Sequence, residues 1–310
     1  MKISIIGAGN VGATCAQVIA EKEICNNIVL LDKVKGLAEG KALDMQQTAP
    51  LARYSTNIKG VTDDYEATKD SSIVIVTSGL PRKPGMTRED LIQVNAEIVK
   101  YVTQNAAKYS PDAIFIIVSN PLDVMAYCAY FTARTSPKKV IGMAGMLDTA
   151  RYKSFIADAL HCSSKDILAI TLGGHGDTMV PLPRYTSVGG VPVTQLLPKE
   201  TIDSIIERTR FGGGEIVNLL GTSAWYAPGY AAAKIAVTIA TNQRRFEPAS
   251  VYLQGEYGYK DIFFGVPVML GKHGAEKILE IELNEVEKEL VESSASKVLE
   301  AINIYKSFEL

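Results

Sequence analysis

Only three histidines occur in the 310 residues, and one of them, His175, stands between glycines in Leu172-Gly173-Gly174-His175-Gly176-Asp177. A histidine flanked this way has nothing adjacent to pack around it, so it is not a core residue. Its imidazole is the side chain best suited to take and return a proton near neutral pH. Asp148 and Arg151 lie at i, i+3 in Gly145-Met146-Leu147-Asp148-Thr149-Ala150-Arg151. If that segment opens a helix, a carboxylate and a guanidinium share one face. His161, beside Cys162, and His273, in a Gly271–Gly274 turn, have no comparable companions. With three histidines and no ligand spacing, a metal site is not expected.

A second group is Gly7-Ala8-Gly9-Asn10-Val11-Gly12, a GxGxxG run. An apolar strand-like segment precedes it, a helical period follows, and the next strand ends in Asp32, twenty residues past Gly12. The glycines let the backbone approach a pyrophosphate, whose charge then sits on the free N–H groups of the helix N-terminus. Asp32 would accept hydrogen bonds from adenosine ribose hydroxyls. A 2′-phosphate there would face a carboxylate, so NAD is expected over NADP. Lys33, next in the chain, would soften that rejection.

A third group is the segment Gly79-Leu80-Pro81-Arg82-Lys83-Pro84-Gly85-Met86-Thr87-Arg88-Glu89-Asp90, with three cations in seven residues. Its glycines and prolines mark a loop. It reads either as a solvated charged loop or as a mobile one that carries arginines over a bound anion and excludes water as it closes. It follows a strand, at the edge where open α/β sheets bind ligands.

These residues need a scaffold, and short apolar runs alternating with helix-period segments supply one. Candidate strands are Lys2–Ile6, Ile28–Leu31, Ile73–Thr77, Ala113–Val118, Lys139–Met143 and Ile167–Leu172. Runs that are apolar throughout suit a parallel sheet covered on both faces. Val11, Cys15, Val18 and Ile19 mark one amphipathic helix between strands; Leu91, Val94, Ile98, Val99 and Val102 mark another. The pattern is a Rossmann-type doubly wound α/β domain over residues 1–145. From 146 to 310 a mixed α+β domain follows. A Gly/Pro-punctuated stretch, Gly173–Pro198, leads to helices, then to antiparallel strands Val251–Leu253 and Ile262–Leu270. A closing helix should bury Leu283, Val286, Leu290, Val298 and Ile302. Apolar residues in Leu37–Met45 and Phe211–Leu220 suit subunit contacts or core equally.

Composition narrows the partners. Acidic residues number 34 and basic ones 32, for a net charge of −2, which argues against nucleic acid or an anionic membrane. The longest strictly apolar run, Val124–Phe131, is far shorter than the roughly 20 residues a spanning helix needs. Met1–Ile6 runs straight into glycine with no apolar stretch of signal-peptide length. Four scattered cysteines, Cys15, Cys25, Cys128 and Cys162, are not a disulfide scaffold. A reducing cytoplasm is the expected setting.

GAGNVG with Asp32, the PRKPGMTRxDL loop, Ser119-Asn120-Pro121, Leu147-Asp148-Thr149-Ala150-Arg151 and GGHGDTMVP together resemble the lactate/malate dehydrogenase family over essentially the whole chain. The likeness is closest to its lactate-dehydrogenase-like malate branch. It implies NAD bound by Gly7, Ala8, Gly9, Asn10, Val11, Gly12 and Asp32, with Asn95 and the Val118, Ser119 and Asn120 backbone as further cofactor contacts. It makes His175 the acid/base and Asp148 its partner, with Arg151 holding a C1 carboxylate. Arg88 would polarise the reacting carbonyl and Asn120 hydrogen-bond the substrate oxygen. Arg82 occupies the position where malate enzymes of the family carry arginine and lactate enzymes typically glutamine; Gly174 stands where lactate enzymes usually have glutamate. The resemblance implies malate and oxaloacetate as substrates, and a homotetramer rather than a dimer. A lactate or other 2-hydroxy acid dehydrogenase is the alternative. An NAD-dependent glycosidase would need a metal-binding Cys/His pair, which the sequence lacks, and a non-catalytic NAD binder would not need the His175–Asp148–Arg151 set.

Overall fold

Apolar runs in which every residue is buried form the centre of the fold, and they pair side by side as strands covered by helices on both faces. In the computed structural model, which describes residues 1–81 and 86–308, the chain alternates β1 (Lys2–Ile6), α1 (Asn10–Glu21), β2 (Asn27–Asp32), α2 (Leu37–Ala52), β3 (Asn57–Thr62), β4 (Ile73–Val76), α3 (Arg88–Tyr109), β5 (Ile114–Ile117), α4 (Leu122–Ala133), β6 (Val140–Gly142) and α5 (Ala144–Leu160). The strands are parallel in the order β3-β2-β1-β4-β5-β6. The order reverses between β1 and β4, which opens a crevice at their carboxyl ends.

Beyond α5, five two-residue strands punctuate the Gly/Pro-rich stretch: β7 (Ile167–Leu168), β8 (Thr171–Leu172), β9 (Val180–Pro181), β10 (Ser187–Val188) and β11 (Val191–Pro192). Then come α6 (Val193–Leu196), α7 (Lys199–Leu220), α8 (Tyr226–Ala240), β12 (Arg245–Gln254), β13 (Lys260–Gly271), β14 (Gly274–Ile278) and α9 (Glu285–Ser307). β12 meets β6 antiparallel where Ser250 lies opposite Gly142, so β12–β14 extend the parallel sheet to nine strands. The two halves therefore share one sheet. The Val124–Phe131 run lies in α4, where Val124–Ala129 are buried; among the described residues no helix is long and apolar enough to cross a membrane.

Four expectations change in the structure. β3 has no apolar run to announce it, because it is an edge strand in which only Ile58 and Val61 are buried. Ile167–Leu172 is two short strands rather than one. On α3 the buried stripe turns to Ile92, Asn95, Ala96, Val99, Val102, Thr103 and Ala106, leaving Leu91, Val94 and Ile98 half-buried. On α9, Val286 and Leu290 face outward while Glu287 is buried. Glu287 closes a capping box with Asn284 and takes the Arg184 guanidinium on both carboxylate oxygens. That cap fixes the helix register and sends the neighbouring apolar residues to solvent.

Gly60 in β3 explains how α2 lies so close to the edge: a Cβ there would stand 2.2 Å from the Ala38 carbonyl oxygen. Gly60→Ala is therefore expected to cost about 1–3 kcal/mol by overpacking, read as a lower urea midpoint. An unchanged midpoint would contradict this seating of α2 on β3.

Candidate active site

The turn from β1 into α1 is built on close approach. Gly7 has φ +110°, and a Cβ on Gly12 would lie 1.9 Å from the Gly7 carbonyl oxygen. Gly9, by contrast, faces open space with nothing within 4 Å of a notional Cβ. It is also the N-cap of α1, with no side chain to bond the first N–H groups and no acidic residue in the first turn. The positive end of the helix is thus bare beside an opening, as a pyrophosphate requires. Asp32 ends β2 and accepts hydrogen bonds from Ala8 N–H at 2.7 Å and Val34 N–H at 2.9 Å. Its carboxylate steadies the glycine turn while keeping further lone pairs for ribose hydroxyls.

The opposite wall comes from the ends of β4 and β5. Val118 N–H donates to Val76 O at 2.9 Å, and the Ser119 hydroxyl donates to Ser78 O. Asn95, buried on α3, commits its amide to backbone. It accepts from Leu80 N–H at 2.7 Å and donates to Leu80 O at 3.1 Å and Asn120 O at 2.7 Å. It fixes the root of the basic loop to the Asn120 turn. Arg82 lies outside the described residues, as do Lys83, Pro84 and Gly85.

The second turn of α5 carries Asp148, 2% exposed. His175 Nδ1–H donates to Asp148 Oδ2 at 3.0 Å, and Arg151 Nη1 lies 3.8 Å from Asp148 Oδ1. That distance is an ion pair without a hydrogen bond. Among the described residues, Asp148 Oδ1 and Arg151 Nε have no hydrogen-bond partner. Burial lowers the Arg151 pKa and Asp148 opposes that pull. Gly212 and Gly213 of α7 lie against this guanidinium, with notional Cβ atoms 3.8 Å from Nε and 3.7 Å from Nη2. Burial pushes the His175 pKa down, but the Asp148 charge and hydrogen bond, helped by Asp123, outweigh burial and Arg151, so it stands above 6.5.

One cavity of about 540 Å³ joins the two regions. Its lining includes Val11, Val118, Asn120, Arg151 and His175, and also Ala224. Arg88 is not part of it. At the start of α3, inside a Thr87–Asp90 capping box, it donates to Lys297 O at 3.1 Å and reaches Glu300 at 3.8 Å. It shares a neighbouring cavity with His175. Sequence reasoning missed Arg210, which lines the larger cavity and donates from Nε to Met179 O at 3.0 Å. It also missed Gly212 and Gly213; three successive glycines inside a helix were the available signal.

A nucleotide cradle opening onto a buried His–Asp pair and a half-satisfied arginine defines a dehydrogenase-type site, and the chain belongs to the lactate/malate dehydrogenase family. Residues 1–142 match the family's NAD-binding domain and 145–309 its alpha/beta C-terminal domain. The chain is 57% identical over 304 residues to the malate dehydrogenase of Cytophaga hutchinsonii, covering 98% of this chain and 97% of that one. The malate dehydrogenase structure from Salinibacter ruber superposes with TM-score 0.95 at 47% identity, covering 99% and 98% of the two chains. A lactate dehydrogenase from Cryptosporidium parvum, solved with lactic acid and NAD, gives 0.94 at 35% identity over 98% of each.

Because Asp148 favours the imidazolium, removing its charge must lower the His175 pKa. In Asp148→Asn the His175 NMR titration midpoint is expected to fall by about one pH unit or more, with an unmoved midpoint contradicting the pairing. Stability gained by protonating His175 is complete below pH 6.5 and is lost as pH rises through the elevated native value.

Proposed function

We propose that this chain is an NAD-dependent malate dehydrogenase, residues 1–145 holding the dinucleotide and 146–310 supplying the substrate side. The observation that carries the reading is the buried Arg151 guanidinium, with an unpaired Nε, beside the His175–Asp148 pair in the cavity shared with the nucleotide cradle. An arginine in that state is completed by a carboxylate that accepts two parallel hydrogen bonds.

NAD, when bound, supplies the hydride acceptor for malate C2. His175 takes the hydroxyl proton at Nε2 while its Nδ1–H stays on Asp148, and returns that proton in the reverse reaction. Asp148 fixes the tautomer and stabilises the imidazolium. Arg151 holds the C1 carboxylate, and Asn120, exposed at the cavity edge, donates to the substrate oxygen. Arg88 reaches the reacting oxygen by leaving the Lys297 carbonyl, and donates there as charge develops. Gly7 to Gly12 and Asp32 hold the pyrophosphate and ribose; Asn95, Val118 and Ser119 shape the wall beside them.

Arg82 is assigned to the second carboxylate of oxaloacetate. Pyruvate would leave that arginine unpaired in a closed, dry site, costing roughly 3–5 kcal/mol. The enzyme is proposed to be cytoplasmic and homotetrameric. Exposed Leu43 and Leu51 on α2 and exposed Tyr226 and Tyr230 on α8 are apolar surface available to a second subunit.

NADH oxidation followed with oxaloacetate and separately with pyruvate tests the substrate. Oxaloacetate is expected to win by about 100- to 1,000-fold, and Arg82→Gln to erase most of that margin. Comparable turnover of pyruvate by the native enzyme would contradict the Arg82 assignment and favour the lactate reading.

A further inference from the structure

Asp123, in the first turn of α4, is 5% exposed and has no salt-bridge partner among the described residues. Its Oδ1 accepts the Ser250 hydroxyl at 2.7 Å, at the point where β12 joins β6. Its Oδ2 accepts the backbone N–H of His175 at 2.9 Å. The preceding amide, Gly174 N–H, donates to the Ser294 hydroxyl of α9 at 2.9 Å, and Gly173 N–H to Gly265 O of β13 at 2.9 Å. Three successive amides of the His175 loop are thus held by α4, α9 and β13.

Ser294 shows that a neutral hydroxyl is enough to hold an amide in this loop. A carboxylate in the same dry setting is far more costly to bury than a hydroxyl, so its charge, rather than its hydrogen bonds, needs a reason. The cation it serves is His175. We propose that Asp123 is a second carboxylate of the reaction centre, a positioning residue that anchors His175 by its backbone amide and sets the pH range over which its imidazole is protonated. The inference rests on His175 being the acid/base.

Among the described residues the charged groups around His175 are few. Asp148 and Arg151 face it from α5 and Asp123 from α4; Asp177 lies in its own loop and Arg210 on α7. Arg88 of α3 and Lys297 and Glu300 of α9 surround the adjoining cavity, which Asp123 also lines. Asp177, Arg88, Lys297 and Glu300 are exposed and screened by solvent. Arg210 is half-buried and cationic, and Arg151 opposes protonation. Asp148 and Asp123 are left as the buried negative charges that favour the imidazolium. Burial, together with the Asp148 charge, leaves the Asp123 pKa raised, while Ser250, the His175 amide and the His175 charge oppose that rise. Protonation of His175 favours the ionised carboxylate and the ionised carboxylate favours the imidazolium, so the two titrations are coupled.

Asp123→Asn separates charge from geometry. The new amide accepts His175 N–H with its oxygen and donates its N–H to the Ser250 hydroxyl, which can accept it. In the full-length enzyme this variant is expected to bind NADH normally. The His175 NMR midpoint and the alkaline limb of kcat/KM for oxaloacetate reduction should both move down by about one pH unit, with kcat recovering at lower pH. Asp123→Ala loses the anchor too, so kcat should fall at every pH while the KM for NADH holds. A midpoint and limb unmoved in Asp123→Asn would overturn the proposal, leaving a structural tie. If that variant does not fold, Ser250→Ala weakens the ionised carboxylate in place. A smaller downward shift there supports the proposal, and an unmoved midpoint overturns it. Because the NMR midpoint is read without turnover, inactivity of the native enzyme toward oxaloacetate would count against the substrate reading alone.

Discussion

A buried carboxylate is tolerable only when charge and hydrogen bonds compensate the loss of water. Asp148 is such a group, and much of this molecule is arranged around it. Its partners are an imidazolium-forming ring at 3.0 Å and a guanidinium at 3.8 Å. Arg151 Nε has no hydrogen-bond partner among the described residues, and both partners face a cavity. Asp148 and Asp123 both stand beside His175, so it is the Arg151 guanidinium, with its unpaired Nε, that leaves room for an anionic substrate.

The sheet makes that arrangement possible. Parallel strands direct their carboxyl ends to one edge, where the β1–α1 turn presents bare N–H groups and the β5–α4 turn presents Asn120. α5 begins just past the end of β6, so Asp148 and Arg151 are delivered to the same edge. His175 arrives from the other half of the chain. Its loop is hung on β13 and α9, and β12 joins β6 to make that half continuous with the first. The His175–Asp148 pair and the glycine turn thus stand on one continuous sheet, which favours the sub-ångström alignment that hydride transfer needs.

Much of this was legible in the sequence, because the deciding signals are local. Fully buried strands show as apolar runs, GxGxxG with Asp32 shows as spacing, and a glycine-flanked histidine has no structural reason to exist. What stayed hidden depends on partners distant in sequence. Edge strand β3 lacks an apolar run because at the sheet edge only Ile58 and Val61 are buried, and its Gly60 is explained only by the Ala38 carbonyl above it. Val286 and Leu290 read as core until the Asn284–Glu287 cap fixes the register of α9. Asp123 looks like any first-turn acid until Ser250, 127 residues away, and His175 close around it. Arg88 was legible as a cation near the site, but its hold on the Lys297 carbonyl was not.

The central claim is that His175 moves the proton while the rest of the site binds and orients. His175→Asn, loaded with NADH and mixed rapidly with oxaloacetate, tests it most directly. The account predicts NADH bound as tightly as by the native enzyme and a transfer rate lower by about 100- to 10,000-fold. Near-native transfer in that variant would contradict it.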